Sequence, residues 1–154
     1  MKLISLLMML CSVAAFAQLG TKTSMTLEAA KQIAAAAEKA AIANKWTMVI
    51  VIVDDGGNLV YLQKMDTTQI GSIDVAIAKA QSAVKFKRPT KAFEDALVGG
   101  RQAILKLPGA MPIEGGIPLM RDGIVIGAIG VSGGQAPEDG KVAEAAVKVF
   151  EKMK

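Results

Sequence analysis

The sequence predicts a single α/β domain of the α+β type, in which an antiparallel sheet of about five strands is flanked by helices. Apolar runs at 117–120 and 124–131 flank Asp122-Gly123, a pair that supplies the positive φ angles of a tight hairpin turn. A second pair of apolar runs surrounds the glycine-rich stretch 54–58. Alanine-rich segments with apolar residues at intervals of three and four lie between and beyond these hairpins, which indicates helices packed on the sheet.

The chain begins with a pattern typical of a secretory signal peptide. Lys2 precedes a continuous apolar run from Leu3 to Ala17, which ends in the small-x-small pattern Ala15-Phe16-Ala17. This run is shorter than the about 20 residues that a membrane-spanning helix needs. We therefore predict that residues 1–17 are a cleaved signal peptide and that the protein is periplasmic or secreted, without stable membrane insertion. A membrane-tethered N-terminus is the alternative.

The predicted cleavage changes composition in two ways. It removes Cys11, the only cysteine, so the mature chain could form neither a disulfide nor a thiolate metal site. It also removes Lys2 and lowers the formal net charge from +4 to +3. This small excess, without a basic run, does not predict nucleic-acid binding.

A polar leader at 18–24 precedes the predicted domain at 25–154, which opens with a helix. Thr26 is a suitable N-cap, and Glu28 is placed to interact with the positive end of the helix dipole. We expect this helix to end near Asn44, which suits a left-handed C-terminal position.

The first hairpin follows this helix. A β-branched run at 48–53 predicts a buried strand, and the turn at 54–58 leads into a second strand at 59–65. We expect Asp54 and Asp55 to bond the backbone of their own turn, and a paired-carboxylate site is the alternative.

A second helix is predicted to begin at Gly71 or Ser72 and to end before Pro89, because the residue preceding proline disfavours helical geometry. Four residues form its apolar face: Ile73, Ile77, Ala80 and Val84. Its lysines, Lys79, Lys85 and Lys87, are predicted to lie largely on other faces. Thr90 is then expected to cap a short helix at 91–98.

Glycines mark the central hairpin at 117–131. Gly127 and Gly130 lie inside its second strand, so we expect another element to approach closely there. Gly115-Gly116 and Gly133-Gly134 leave backbone N–H groups at its ends, which could meet an anionic group or simply turn the chain. A terminal helix is predicted after Gly140, with an apolar stripe made of Val142, Ala146, Val149, Phe150 and Met153.

The chain contains no histidine. This excludes a Ser-His-Asp triad and histidine-based zinc sites. Neither a P-loop nor the glycine spacing of a dinucleotide-binding turn is present. The sequence therefore offers few candidates for enzyme chemistry, and an enzyme is not the favoured interpretation.

Several motifs occur in order along the chain: Met25-Thr26-Leu27-Glu28-Ala29-Ala30, Val53-Asp54-x-x-Gly57, Lys79-Ala80, Phe86-x-Arg88-Pro89-Thr90, Gly115-Gly116-x-Pro118, Asp122-Gly123, Gly127-Ala128-Ile129-Gly130-Val131-Ser132-Gly133 and Asp139. With these motifs, residues 25–154 resemble the GlcG/HbpS family of haem-binding proteins, which is related to the corrinoid-associated PduO C-terminal-like domain. The resemblance implies a small α/β domain that forms homo-oligomers and binds haem or a related tetrapyrrole.

The resemblance leads to one favoured function and two alternatives. The favoured function is an exported haem-binding carrier, scavenger or sensor module. The alternatives are an accessory protein for another small molecule, such as a corrinoid, or for a partner, and a weak haem-degrading enzyme. Since 52% of the residues are hydrophobic, part of the apolar surplus is expected at contacts between subunits, which agrees with a homo-oligomer.

The resemblance also implies a site at the corner after the second helix and at the approach to the central hairpin. Its candidate cofactor-binding residues are Phe86, Lys87, Arg88, Thr90, Met111, Gly115 and Gly116. Arg88 would pair with a haem propionate. Without histidine, the iron would need methionine, tyrosine, lysine, a hydroxyl, water or a neighbouring subunit's residue, and Thr90 and Met111 are the candidates. The alternative is that Thr90 only caps a helix and that Arg88 is a solvated charge.

Overall fold

A computed structural model describes residues 20–153. The predicted signal peptide and the first two leader residues lie outside the described residues. The helices are α1 Leu27–Ala43, α2 Ser72–Phe86, α3 Lys91–Val98 and α4 Ala136–Phe150, with a 3₁₀ helix at Gln102–Lys106 after α3. The strands are β1 Val49–Asp54, β2 Leu59–Lys64, β3 Gly116–Arg121 and β4 Ile124–Ser132. None of the described helices combines the length and the apolar character that crossing a membrane would require.

The strands form one antiparallel sheet in the order β2-β1-β4-β3. The predicted α+β class is confirmed, but the described residues form four strands rather than about five. The stretch between α3 and β3, where the sequence assigns no strand, forms the 3₁₀ helix and turns. Two adjacent hairpins therefore supply the whole sheet.

Both hairpins turn as their sequences predict. Asp122 and Gly123 have φ angles of 51° and 77°, as a two-residue turn of this hand requires. In the first hairpin, Asp54 Oδ1 accepts hydrogen bonds from the backbone N–H groups of Gly56 and Asn58, at 2.9 and 2.8 Å. This carboxylate is therefore used within its own turn.

The sheet separates two apolar layers. Val49, Val51 and Val53 face α2, whereas Ile50 and Ile52 face α1 and α4. All five side chains have no exposed surface, because β1 is covered on both faces. A strand covered on both faces needs an uninterrupted apolar sequence, which is the pattern observed there.

The strand glycines allow close packing on β4, as predicted. A Cβ atom at Gly130 would overlap the carbonyl oxygen of Ala76 and lie 2.7 Å from the nitrogen of Ala80, both in α2. At Gly127 the added atom would overlap the carbonyl oxygen of Val53. α2 therefore rests directly on the backbone of β4.

Two helix boundaries differ from the sequence prediction. Asn44 has a φ of −99° and is not left-handed, and its side chain donates to the carbonyl of Ala40 at 2.8 Å. The left-handed residue is the next one, Lys45, with a φ of 59°. α4 begins at Ala136, before Gly140, because the side chain of Glu138 accepts from the backbone N–H of Gln135 at 2.8 Å and caps the helix.

Candidate functional site

The corner after α2 holds the predicted site residues Phe86, Lys87 and Arg88. Lys87 has a φ of 52° and ends the helix in a left-handed conformation. The backbone N–H of Arg88 then donates to the carbonyl of Ala83 at 3.3 Å, which closes the helix end before Pro89. The chain is thereby turned from α2 into α3.

Arg88 is held against two aromatic rings at this corner. The rings of Phe86 and Phe93 pack edge to face, with centroids 5.1 Å apart. The Arg88 guanidinium carbon lies 5.6 Å from the centroid of Phe93, and its Nε donates to the carbonyl of Phe86 at 3.2 Å. Among the described residues, these contacts leave the other guanidinium N–H groups available for a ligand.

A cavity of about 310 Å³ opens beside this stack, and we call it the Arg88 pocket. It is lined by Phe86, Arg88, Ala92, Phe93, Ala96, Arg101, Ile104 and Leu107. The lining therefore combines two guanidinium groups, two aromatic rings and aliphatic carbon, without an acidic side chain. Such a lining suits an apolar ligand that carries two negative charges.

Arg101 is the site residue that sequence reasoning missed. It follows Gly99-Gly100 and precedes the 3₁₀ helix, and its backbone N–H donates to the carbonyl of Ala96 at 2.9 Å. This return of the chain onto α3 brings Arg101 to the pocket. The sequence carries no periodic signal for such a contact, although the two glycines mark the turn that makes it.

Thr90 is buried and is not a side-chain N-cap. Its backbone is already helical, with φ −63° and ψ −25°, so its hydroxyl is not placed as an extended N-cap residue would place it. Instead Oγ1 accepts from the backbone N–H of Gly116, and the backbone N–H of Thr90 donates to the Gly116 carbonyl, both at 2.9 Å. With no exposed surface, the hydroxyl does not reach the Arg88 pocket in this structure.

The remaining predicted residues lie elsewhere. Gly115 and Gly116 border a second cavity of about 160 Å³, whose other lining residues are Pro89, Lys91, Glu114, Ile117, Gly140 and Glu144. Met111 is half-buried outside both linings, and its backbone N–H donates to Ser82 Oγ at 3.0 Å. Lys87 is exposed and also lies outside both linings. Of the predicted residues, Phe86 and Arg88 thus line the Arg88 pocket, and the two glycines line the second cavity.

A buried ion pair lies beneath Gly115, and it corrects the prediction for Lys79. Lys79 is 1% exposed rather than on an outer face, because it lies between Ala76 and Ala83 on the side of α2 that faces the sheet. Its Nζ donates to Asp139 Oδ2 at 2.6 Å and to the Val131 carbonyl at 3.0 Å.

Asp139 completes this buried network at the start of α4. Its Oδ1 accepts from the backbone N–H of Gly134 at 3.0 Å. Burial raises the pKa of Asp139, while the Lys79 ammonium and the N–H groups of Gly133 and Gly134 oppose that rise. The anionic group that the backbone N–H groups of Gly133 and Gly134 bind is therefore the carboxylate of Asp139, a side chain of the protein itself.

Comparison with known proteins assigns the chain to a family. Residues 25–148 match the family model described as haem-degrading protein HbpS-like. Protein GlcG of Escherichia coli K12 is 37% identical over 112 residues, covering 73% of this chain and 84% of GlcG.

Two solved structures are similar in both sequence and fold. An HbpS double mutant of Streptomyces reticuli has a TM-score of 0.79 and 32% identity, covering 89% of this chain and 94% of that protein. A PduOC:heme complex has a TM-score of 0.75 and 29% identity, covering 82% of this chain and 94% of PduOC. Since the family model spans nearly the whole of the described chain, the protein belongs to the HbpS-like family.

Proposed function

We propose that this protein is an exported haem-binding protein that acts as a carrier, scavenger or sensor of haem, with the Arg88 pocket as its binding site. The observation that carries the proposal is the pairing of Arg88 and Arg101 with two phenylalanine rings in one cavity free of acidic lining residues. The PduOC:heme complex adds support, because a relative of similar fold binds haem.

The lining fits the periphery of haem better than it fits the iron. Each guanidinium can pair with one propionate, and each such charge-assisted contact contributes about 1.5–3 kcal/mol when partly shielded from water. Phe86 and Phe93 offer apolar surface to the macrocycle. None of the eight lining residues carries a sulfur, imidazole or phenol group that would bind iron. Water or a neighbouring subunit would then complete the coordination, and such weak ligation suits a carrier or sensor.

The size of the cavity supports a partly open site. Sites that enclose a small molecule usually have volumes of about 300–1,000 Å³. At about 310 Å³, the Arg88 pocket would cover only part of a macrocycle.

Export is supported by the signal-like sequence that follows Lys2. N-terminal sequencing of the native protein should find Gln18 as the first residue.

Hemin titration tests the proposal. We expect the parent to shift the Soret band of added hemin, and Arg88→Ala and Arg101→Ala each to bind about tenfold more weakly, which corresponds to about 1.4 kcal/mol. Lys106→Ala is the matched control, because this exposed cation lies on the 3₁₀ helix outside the pocket lining. If both arginine variants bind like the parent, the site lies elsewhere.

The same titration separates the alternative functions. Cob(III)alamin in place of hemin tests an accessory protein for a corrinoid, as the name corrinoid adenosyltransferase PduO of a relative suggests. Progressive loss of the Soret band after a reductant is added would favour haem degradation, the activity in the family description. A stable Soret band under the same conditions supports the carrier or sensor function. An unchanged hemin spectrum would overturn haem binding.

A further inference from the structure

We propose that Thr90 is a positioning residue that holds Arg88 at its pocket through a reciprocal hydrogen-bond pair with Gly116. This inference rests on the proposed function. It assigns the buried hydroxyl an indirect role in ligand binding, different from the iron contact that the sequence resemblance implies. The support for it comes from the contacts on both sides of the Arg88-Pro89-Thr90 corner.

The corner is fixed at both ends. On the α2 side, the backbone N–H of Arg88 donates to the carbonyl of Ala83 at 3.3 Å. On the α3 side, Thr90 and Gly116 exchange two hydrogen bonds of 2.9 Å. Only Pro89, whose ring restricts φ, separates Arg88 from Thr90. The backbone from which the Arg88 side chain projects therefore has little freedom while the Thr90 bonds are intact.

Gly116 is itself held in place from below. A Cβ atom there would overlap the Lys79 carbonyl oxygen and lie 2.7 Å from Thr90 Cγ2, so the glycine is packed between the two residues. At Gly115 an added Cβ would lie 3.0 Å from Lys79 Nζ and 2.9 Å from Asp139 Cβ. The buried Lys79–Asp139 pair thus supports the segment to which Thr90 is bound.

Two substitutions at position 90 test the role of the hydroxyl. Thr90→Val keeps the shape but removes the acceptor for the Gly116 N–H, whereas Thr90→Ser keeps the acceptor. We expect Thr90→Val to weaken hemin binding about tenfold and Thr90→Ser to stay within about twofold of the parent. Thr68→Val is the matched control, because Thr68 is also buried and its Oγ1 donates to the Met48 carbonyl at 3.3 Å. This control should lose stability without losing hemin affinity.

Two further readouts separate positioning from other roles. If Thr90 acts through Arg88, the effects of the two substitutions are not additive. The double variant Arg88→Ala/Thr90→Val should therefore bind hemin less than about twofold more weakly than Arg88→Ala alone. The saturated Soret maximum of Thr90→Val should equal that of the parent. If Thr90→Val lowers hemin affinity equally with and without Arg88→Ala, the proposal is overturned in favour of general structural damage. A shifted Soret maximum would overturn it in favour of a direct contact between Thr90 and the iron.

A measurement without hemin makes the result independent of the proposed function. The Nε proton of Arg88 donates to the Phe86 carbonyl at 3.2 Å, and NMR can follow its exchange with solvent. In Thr90→Val this exchange should be at least about threefold faster than in the parent and in Thr68→Val. If Thr90→Val does not fold, Asp139→Asn, which weakens the support under Gly115, should show the same direction of change. Unchanged exchange in the folded variant rejects the positioning role even if hemin binds.

Discussion

Lys79 illustrates how the environment of one side chain depends on its phase along a helix. Its charge suggests an outer face, but Ala76 and Ala83, three residues before it and four after it, place it towards the sheet. Its Nζ is there bonded to Asp139 and to the Val131 carbonyl. Loss of one partner would leave the other charge buried without compensation.

Replacing Lys79 should make stability depend on pH. Lys79→Met removes the ammonium that opposes the burial effect on Asp139, so the native pKa of this carboxyl should rise further above its usual 3.8. A carboxyl with a raised native pKa binds its proton more tightly when folded, so stability falls as pH rises from 3.8 through the native pKa.

Melting curves of Lys79→Met and the parent between pH 4 and 8 measure this effect. We expect the two proteins to differ little at the acidic end and by about 3–5 kcal/mol in the free energy of unfolding near neutral pH. A difference that does not change with pH would mean that Asp139 is not the group responsible.

At the scale of elements, the packing of α2 on β4 depends on the absence of a side chain at Gly130. Gly130→Ala should force the two elements apart, because the added atom would overlap the Ala76 carbonyl oxygen. We expect a loss of about 1–3 kcal/mol in the free energy of unfolding, measured by denaturant titration.

Gly71→Ala is the control for this substitution. Gly71 has a φ of −62°, and an added Cβ would have no neighbour within 4 Å in the described part of the chain. It should change stability by less than about 0.5 kcal/mol, which is usual for surface positions. An equally small effect at Gly130 would contradict the close packing.

Local rules predict the elements better than they predict the site. Asp122-Gly123 and the run at 48–53 specify their hairpins because turn dihedrals and strand periodicity are encoded by neighbouring residues. Thr90 depends instead on a contact with Gly116, which forms only when the chain folds back. Arg101 is placed by a local turn onto Ala96, but nothing in that turn indicates which cavity its side chain lines. The order of the motifs could place Thr90 near Gly115 and Gly116. It could not show whether the Thr90 hydroxyl faces a ligand.

At the scale of the whole molecule, one chain leaves large aliphatic side chains in water. Ile70, Leu105 and Val98 are 82%, 63% and 84% exposed. Because exposed apolar surface often ends at subunit contacts, we predict a homo-oligomer in solution. Light scattering at micromolar concentration should give a multiple of the chain mass. A monomer mass would contradict the prediction.

The ion pair between α2 and α4 also bears on the order in which the domain folds. Lys79 and Asp139 are 60 residues apart in sequence, and an ammonium without its partner is costly to bury. We therefore expect a chain that is synthesised from its N-terminus to keep Lys79 in water until Asp139 has been added. We therefore expect the docking of α2 on one face of the sheet to be coupled to the arrival of α4 on the other.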